Sequence, residues 1–171
     1  MKLFNVVVFA ASFLTLSEAL TIRYLLQITG SKQGNILKGT LKGFETSSPA
    51  RGLNLTISSP LNAATGQSTG KRNYAPIVVS RDIDDSSPRV IRALVTNEKL
   101  TTIKLTVQSV STTGVGTTLR TYTFTNAQLL GVDHFTGLTD LDEVIKFNFQ
   151  KWQLETTLGG VVVQDNWSVA V

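Results

Sequence analysis

The side chains that could do chemistry in this sequence are few, and the first candidates are two neighbours, Asp133 and His134. A histidine beside a carboxylate could act as a general base whose ring is oriented by the acid. However, His134 is the only histidine, there is no cysteine, and no Gly-x-Ser-x-Gly motif supplies a nucleophile. We therefore interpret the pair as a loop histidine beside a solvated aspartate, and we predict that the chain is not an enzyme.

Two acidic segments could bind a cation or act as an acid/base pair. The segment Arg81–Ser87 is rich in oxygen donors, but the sequence lacks the glycine and the later glutamate of an EF-hand loop. We interpret it as a helix entrance, where carboxylates face the positive end of the helix dipole. Asp140, Asp142 and Glu143 lie in a connection rich in glycine, threonine and aspartate, so we expect them to be solvated. The sequence therefore predicts neither a metal site nor a cofactor.

The composition indicates one folded domain without a nucleic-acid partner. Hydrophobic residues make up 42% of the 171 residues and charged residues 16%, whereas a disordered chain would be rich in charge and poor in apolar residues. The formal net charge is +4, and the basic pair Lys71-Arg72 is too small for a nucleic-acid-binding patch. A chain of this length has room for one core, so we expect a single domain.

The first nineteen residues have the layout of a secretory signal. Lys2 is followed by the apolar run Leu3–Leu16 and then by small residues before a cleavage point after Ala19. The run has about 14 residues, fewer than the ~20 that a membrane-spanning helix needs. The alternative interpretation is a buried first strand or helix. We predict that residues 1–19 are a signal peptide, and that residues 20–171 form a secreted domain that does not contact the membrane.

Alternation of apolar and polar residues predicts a mainly β fold. In Ile103–Val107 apolar side chains occupy every second position, which places one set on the core and the other outside. After Phe149 the phase of the alternation slips, so we expect a bulge near Gln150-Lys151. The other predicted strands are Leu20–Ile28, Ile36–Phe44, Leu53–Ile57, Pro76–Ser80, Leu119–Thr125, Ala127–Asp133, Ile145–Leu154 and Val161–Val169. About nine strands are enough to close an antiparallel barrel or to form a sandwich.

One helix and one long loop interrupt the strands. Ser87-Pro88 is typical of a helix start, because serine can cap free N–H groups and proline suits the first helical position. Apolar residues then recur at helical spacing, and the helix is predicted to end near Asn97. The longest predicted loop is Pro60–Asn73, which is small, polar and contains glycine. A loop of this length in a compact domain is often an interaction surface.

The stretch from Thr69 to Pro88 resembles the signature of the haemolysin-coregulated protein (Hcp) family, the tube proteins of type VI secretion. In that family a T-G-x-R-x-H-x-P segment leads to K-x-x-D-x-S-S-P and a helix. The matching residues here are Thr69, Gly70, Arg72, Pro76, Asp84, Ser86, Ser87 and Pro88. The sequence departs from the pattern at Asn73, where the family has histidine, and at Arg81, where it has lysine. The first change removes a titratable group, and the second keeps the charge.

The resemblance extends over most of the chain, as far as Trp167. The segment Tyr24–Ile28 is similar to the family's opening strand, and Asp165 and Trp167 are similar to its closing D-x-W. The resemblance implies a compact antiparallel β-barrel of two sheets with one short α-helix. It also implies hexameric rings that stack into a tube carrying effectors, with the loop Pro60–Tyr74 acting in ring stacking.

Three functions remain open at this point. The first is a structural protein of a type VI secretion tube or of a related extracellular assembly, which forms rings with copies of itself and carries effector proteins. The second is a monomeric secreted binding module that kept the barrel but does not assemble. The third, a hydrolase on a β scaffold, is disfavoured by the single histidine and by the lack of a nucleophile motif. The mass of the mature protein in solution separates the first two.

Overall fold

The computed structural model describes residues 21–70, 72–137, 141–157 and 159–166. Within these ranges it contains twelve strands and one helix. The strands are β1 (Thr21–Gly30), β2 (Gly34–Asn35), β3 (Ser48–Ala50), β4 (Gly52–Asn54), β5 (Ile57–Ser58), β6 (Asn73–Tyr74), β7 (Ile77–Asp82), β8 (Leu100–Val110), β9 (Gly116–Thr136), β10 (Leu141–Asn148), β11 (Lys151–Thr156) and β12 (Val162–Asn166). The helix α1 comprises Ser87–Val95. The predicted signal peptide lies outside the described residues, and none of the described helical sequence is long and apolar enough to cross a membrane.

Ten of the strands form two antiparallel sheets that share one long strand, and β5 and β6 form a separate two-stranded sheet. The hydrogen-bonded order is β2-β1-β8-β9-β10-β7-β4, and β11 pairs with both β9 and β12. We call the part that contains β1, β8, β11 and β12 sheet A, and the part that contains β10, β7 and β4 sheet B; β9 belongs to both. Among the described residues β2 and β4 do not pair with each other, so hydrogen bonds do not close the barrel. The prediction of a mainly β fold with one short helix is confirmed.

The long strand β9 passes from sheet A to sheet B at Asn126. Its first half pairs with β8 and β11, and its second half pairs with β10. Asn126 has a φ of 52°, a left-handed conformation that asparagine tolerates better than most residues. The two predicted strands Leu119–Thr125 and Ala127–Asp133 are therefore halves of one strand that turns at this residue.

The prediction of one bulged strand at Ile145–Leu154 is wrong, because this segment forms two strands that lie in different sheets. β10 pairs with β7 in sheet B, whereas β11 pairs with β12 in sheet A. The break between them lies beside the turn in β9, where the Asn126 amide donates to Gln150 Oε1 at 2.7 Å. This corner, and not a bulge, shifts the phase of the alternation and places Trp152 in the core.

The predicted strand Ile36–Phe44 does not form. Ile36 and Leu37 are buried in the core, but the chain then turns instead of pairing with a neighbouring strand. Gly39 passes so close to the Ser47 carbonyl that a Cβ would lie 1.9 Å from its oxygen. Two buried apolar residues followed by a tight turn gave a pattern that alternation alone cannot distinguish from a strand.

The helix α1 ends where the sequence predicted. Asn97 has a φ of 48°, and its N–H donates to the Leu94 carbonyl at 3.1 Å. The N–H of Glu98 donates to the Ala93 carbonyl at 2.8 Å. These two bonds form a Schellman motif, which satisfies the last free carbonyls of a helix.

An aromatic cluster joins the two sheets in the centre of the core. The rings of Phe124 and Phe147 are 5.2 Å apart and nearly perpendicular, and Phe124 is also 5.2 Å from Phe149. Tyr74 meets Phe149 edge to face at 5.4 Å. Edge-to-face pairs of this kind stabilise beyond the area they bury. The cluster therefore fixes β6, which carries Tyr74, against the core.

Candidate functional site

The side chain of Arg81, in β7, is fully buried and lies at the centre of the first group of motif residues. Its Nε donates to Glu143 Oε2 at 2.5 Å. Its Nη1 donates to Ser48 Oγ at 2.9 Å and to Asp84 Oδ2 at 2.8 Å, and its Nη2 donates to Ser87 Oγ at 3.0 Å. A buried charge is tolerated only when it is paired and hydrogen-bonded. These contacts therefore fix the corner between β7, β10 and α1.

Two interpretations made from the sequence, a solvated Glu143 and a His134 that lies in a loop, are wrong. Glu143 lies in β10 with its side chain fully buried. His134 lies in β9, opposite Glu143, and its Nε2 is 2.8 Å from Glu143 Oε1. Asp133 instead accepts a hydrogen bond from Lys146 at 2.6 Å. Consecutive residues of a strand point to opposite faces, so Asp133 and His134 cannot share a partner.

Two further acidic residues of these segments, Asp82 and Asp142, are held by an exposed arginine. Asp142 lies in β10 and forms an ion pair with Arg51, which also forms an ion pair with Asp82. Asp140 lies outside the described residues. Within the described ranges, no group of three or more histidine, cysteine, aspartate or glutamate residues is placed to hold a metal ion.

Asp84 connects the loop before α1 to the buried arginine. Its carboxylate accepts the N–H of Ser86 at 2.8 Å, the Ser86 hydroxyl at 2.5 Å and the Ser48 hydroxyl at 2.9 Å. Partial burial raises the pKa of Asp84, but these hydrogen bonds and the charge of Arg81 outweigh it, so the pKa lies below its ordinary value. Asp84 is therefore ionised at neutral pH, and the ionised form holds the corner.

Ser87 does not cap the helix, contrary to the prediction. The N-cap residue is Ser86, and no side chain caps the helix there. The Ser87 hydroxyl instead accepts the N–H of Asp84 at 3.1 Å and the Nη2 of Arg81. Pro88 lies in the first turn, as predicted. The Ser87 hydroxyl, which the sequence pattern predicted to cap the helix, therefore binds the buried guanidinium of Arg81 instead.

A second group of motif residues lies beside β12. Arg72 makes a two-pronged ion pair with Asp165, with Nε–Oδ2 at 2.7 Å and Nη2–Oδ1 at 2.9 Å. The Tyr74 hydroxyl donates to the same carboxylate, and Trp152 Nε1 donates to the Tyr74 hydroxyl at 3.3 Å. The hydrogen bonds from Arg72 and Tyr74 lower the pKa of Asp165, and the bond to Asp165 raises the pKa of Arg72. The group ties the end of β6 to β12.

Residues 57–70 and 72–74, which we call the arm, form a projecting hairpin. Strands β5 and β6 pair at its base, and Leu61 bridges Ser68 farther out. The N–H of Thr69 donates to the Pro60 carbonyl at 2.7 Å. Every residue from 57 to 70 is exposed to solvent. The first part of the long loop predicted at Pro60–Tyr74, residues 60–70, is therefore ordered by its own backbone hydrogen bonds and is exposed, whereas Tyr74 is buried in the core.

The other motif residues shape the backbone around the arm. Gly70 has a φ of 77°, a conformation that favours glycine. Asn73 is exposed in β6, and Pro76 is exposed directly before β7. Trp167 lies outside the described residues, so its role stays a prediction.

Sequence reasoning missed Ser48 and Tyr74 in these networks and a third buried group elsewhere, Glu98. Glu98 is 2% exposed, and its carboxylate accepts the N–H groups of Lys32 at 2.6 Å and of Gln33 at 2.7 Å. Burial raises the pKa of Glu98, but the hydrogen bonds from Gln33 and Lys32 bring it below its ordinary value. Each of these side chains is isolated in the sequence, and its partners come from distant segments.

Comparison with known proteins identifies the family. The family model described as "Type VI secretion system effector, Hcp" matches residues 5–155. The chain belongs to the Hcp family of type VI secretion. The major exported protein of Pseudomonas aeruginosa strain PAO1 is 29% identical over 166 residues, which cover 83% of this Hcp chain and 93% of that protein. The model match begins within the predicted signal peptide and ends before Asp165.

Solved structures confirm the Hcp-like fold class. A crystal structure described as an Hcp protein has a TM-score of 0.79 and 20% identity, and the match covers 88% of this chain and 100% of that one. A mutant form of Hcp1 from the E. coli EAEC 042 pathovar has a TM-score of 0.77 and 19% identity, over 86% and 99% of the two chains. The secreted protein Hcp3 from Pseudomonas aeruginosa has a TM-score of 0.71 and 21% identity, over 87% and 100%. At these identities the likeness is one of fold.

The motif residues of this Hcp chain thus form two groups of hydrogen bonds and ion pairs, which we call anchors. One fixes the entrance of α1 around the buried Arg81, and the other fixes the base of the arm through Arg72 and Asp165. The two anchors hold in place the helix and the arm.

Proposed function

We propose that this chain is a structural subunit that closes into rings, hexameric as the resemblance implies, and that the rings stack into a tube carrying effector proteins. Membership of the Hcp family supplies the context of type VI secretion. The relatives from Pseudomonas aeruginosa are named an exported and a secreted protein. Together with the predicted signal sequence, these names support export of this chain.

The observation that carries the proposal is the exposed edge of sheet A. Among the described residues β12 pairs only with β11, so one side of its backbone has no strand partner. Val161, Val162 and Val163 at this edge are 57%, 51% and 47% exposed. Soluble proteins usually protect such an edge with charge, proline or a covering segment, because a bare apolar edge pairs with other chains. The valines support a role for β12 as a contact between subunits.

A ring also needs a second edge that differs from the first, because head-to-tail contacts close into a ring only between unlike surfaces. Strands β2 and β4 end the sheet path and offer such an edge. Each contact should bury at least about 1,000 Å² in total to be stable. We infer that β12 of one subunit meets the β2 or β4 side of the next.

The arm supports the stacking of rings. It projects from the core and carries exposed apolar side chains, with Leu61 67% and Ile57 40% exposed. Its base is fixed by the ion pair between Arg72 and Asp165. Because the base of the arm is already fixed, the arm loses less conformational entropy on binding a neighbouring ring than a flexible loop would lose.

Ring closure is tested by Val162→Lys. Val162 lies opposite the exposed Glu155, so a lysine there should leave the fold intact while charging the edge. Light scattering after size exclusion should give hexamers for the wild type and monomers for the variant. The matched control is Val115→Lys, a valine that is 66% exposed in the β8–β9 loop, which should still form rings. A wild type that stays monomeric at high concentration would contradict the proposal and favour the monomeric secreted binding module.

Stacking is tested by deleting Ala63–Thr69, the outer part of the arm. The cut leaves the anchor between Arg72 and Asp165 in place, so the barrel should fold and rings should form. Electron microscopy should then show single rings where the wild type gives stacks. Loss of rings together with stacks would show that the arm acts in closure and not in stacking.

A further inference from the structure

A cavity of about 320 Å³ opens between sheet A and β4, at the end of the barrel where β1 begins. Leu105 and Val107 of β8 are buried and form part of its floor. Ile22, Leu53 and Leu119 complete an apolar wall. Mouths of β-barrels are common sites for small molecules, and this volume lies at the lower end of the roughly 300–1,000 Å³ that such sites occupy.

Three polar side chains face the same cavity. Arg120 and Tyr122 of β9 lie opposite Val107 and Leu105, on the face of the sheet that forms the floor. Tyr24 of β1 lies opposite Val107 from the other side. Within the described residues, none of these three side chains forms a hydrogen bond or an ion pair. The cavity therefore combines an apolar wall with one cation and two phenols that are free to donate.

We propose that this cavity binds a single-chain amphiphile with a carboxylate head, such as a short fatty acid. The hydrocarbon chain fills the space between the leucines and valines, and its burial supplies most of the binding energy. The carboxylate lies at the mouth, where the Arg120 guanidinium offers paired N–H donors that match two oxygens. The small volume excludes a lipid with two chains. All the lining residues belong to one chain, so the site is complete in a single subunit.

The experiment is equilibrium dialysis of the full chain against octanoate, with octanol and octylammonium as probes of the head group. The first variant is Arg120→Gln, which removes the cation, and the second is Leu53→Trp, which fills the cavity from its partly exposed rim. The control is Arg92→Gln, an exposed arginine on α1 that keeps the net charge equal to that of the first variant. Thermal unfolding checks that each variant is folded.

We expect one octanoate per chain with a dissociation constant of about 1 mM or tighter. Arg120→Gln should weaken binding about tenfold, because a charge-assisted hydrogen bond is lost. Leu53→Trp should abolish binding, and Arg92→Gln should not change it. The proposal is overturned if octanoate does not saturate the wild type, if octanol binds as tightly as octanoate, or if the folded Leu53→Trp variant still binds. Tighter binding of a short apolar peptide with a free carboxyl terminus would assign the cavity to protein partners instead.

Discussion

Replacing Arg81 by methionine keeps the length of the side chain and removes its charge. The guanidinium is fully buried and donates to Glu143, Asp84 and three serine hydroxyls. Its loss leaves the Glu143 carboxylate buried without its main partner. Breaking one side of a buried ion pair costs about 3–5 kcal/mol. At about 2–4 °C per kcal/mol for a domain of this size, the melting temperature should fall by roughly 10 °C.

Urea titration followed by tryptophan fluorescence measures this loss. Arg81→Lys should lie between the wild type and Arg81→Met, because lysine keeps the charge but cannot reach all the acceptors at once. The control is Arg51→Met, which removes an exposed arginine with two carboxylate partners and should cost less than about 1 kcal/mol. Replacing both Arg81 and Glu143 by apolar residues should recover part of the loss. A single Arg81→Met within 1 kcal/mol of the wild type would refute the central role of this pair.

Three further outcomes are expected. The pKa of Asp84 is lower in the folded state than its ordinary value of 3.8. The stability that ionised Asp84 contributes is therefore complete above pH 3.8 and is lost as the pH falls through the lower folded pKa. Asp84→Asn should flatten the acid limb of a plot of unfolding free energy against pH. Gly30→Ala would place a Cβ 2.3 Å from Glu98 Oε1 and should destabilise by about 1–3 kcal/mol in urea titration, whereas an unchanged midpoint would mean that the Glu98 carboxylate moves freely. N-terminal sequencing of secreted protein should begin at Leu20, and a folded secreted form that retains residues 1–19 would contradict the signal peptide.

Alternation predicted most strands but not the corner that joins the two sheets. The halves of β9 on either side of Asn126 alternate in the same way, so nothing in the pattern shows that they belong to different sheets. The phase slip after Phe149 was visible in the sequence, but a bulge and a break produce the same slip. The contact between Asn126 and Gln150 distinguishes them, and it depends on the three-dimensional arrangement.

The helix entrance shows a similar limit. The motif resemblance pointed to Asp84 and Ser87, and the helix-start pair Ser87-Pro88 predicted a capping role that Ser87 does not have. The reason lies in Arg81, whose burial no local pattern reveals and whose partner Glu143 is 62 residues away. Glu143 follows a stretch rich in glycine, threonine and aspartate, and glutamate is rarely buried, so local reasoning assigned it to a solvated connection.

The claim that this Hcp chain is a ring-forming subunit is tested most directly by its native mass. Native mass spectrometry of the secreted wild type should give six subunits, and Val162→Lys, which charges the exposed edge of β12, should give one. A monomer for the wild type, or an unchanged hexamer for the variant, would contradict the account of β12 as the edge that closes the ring.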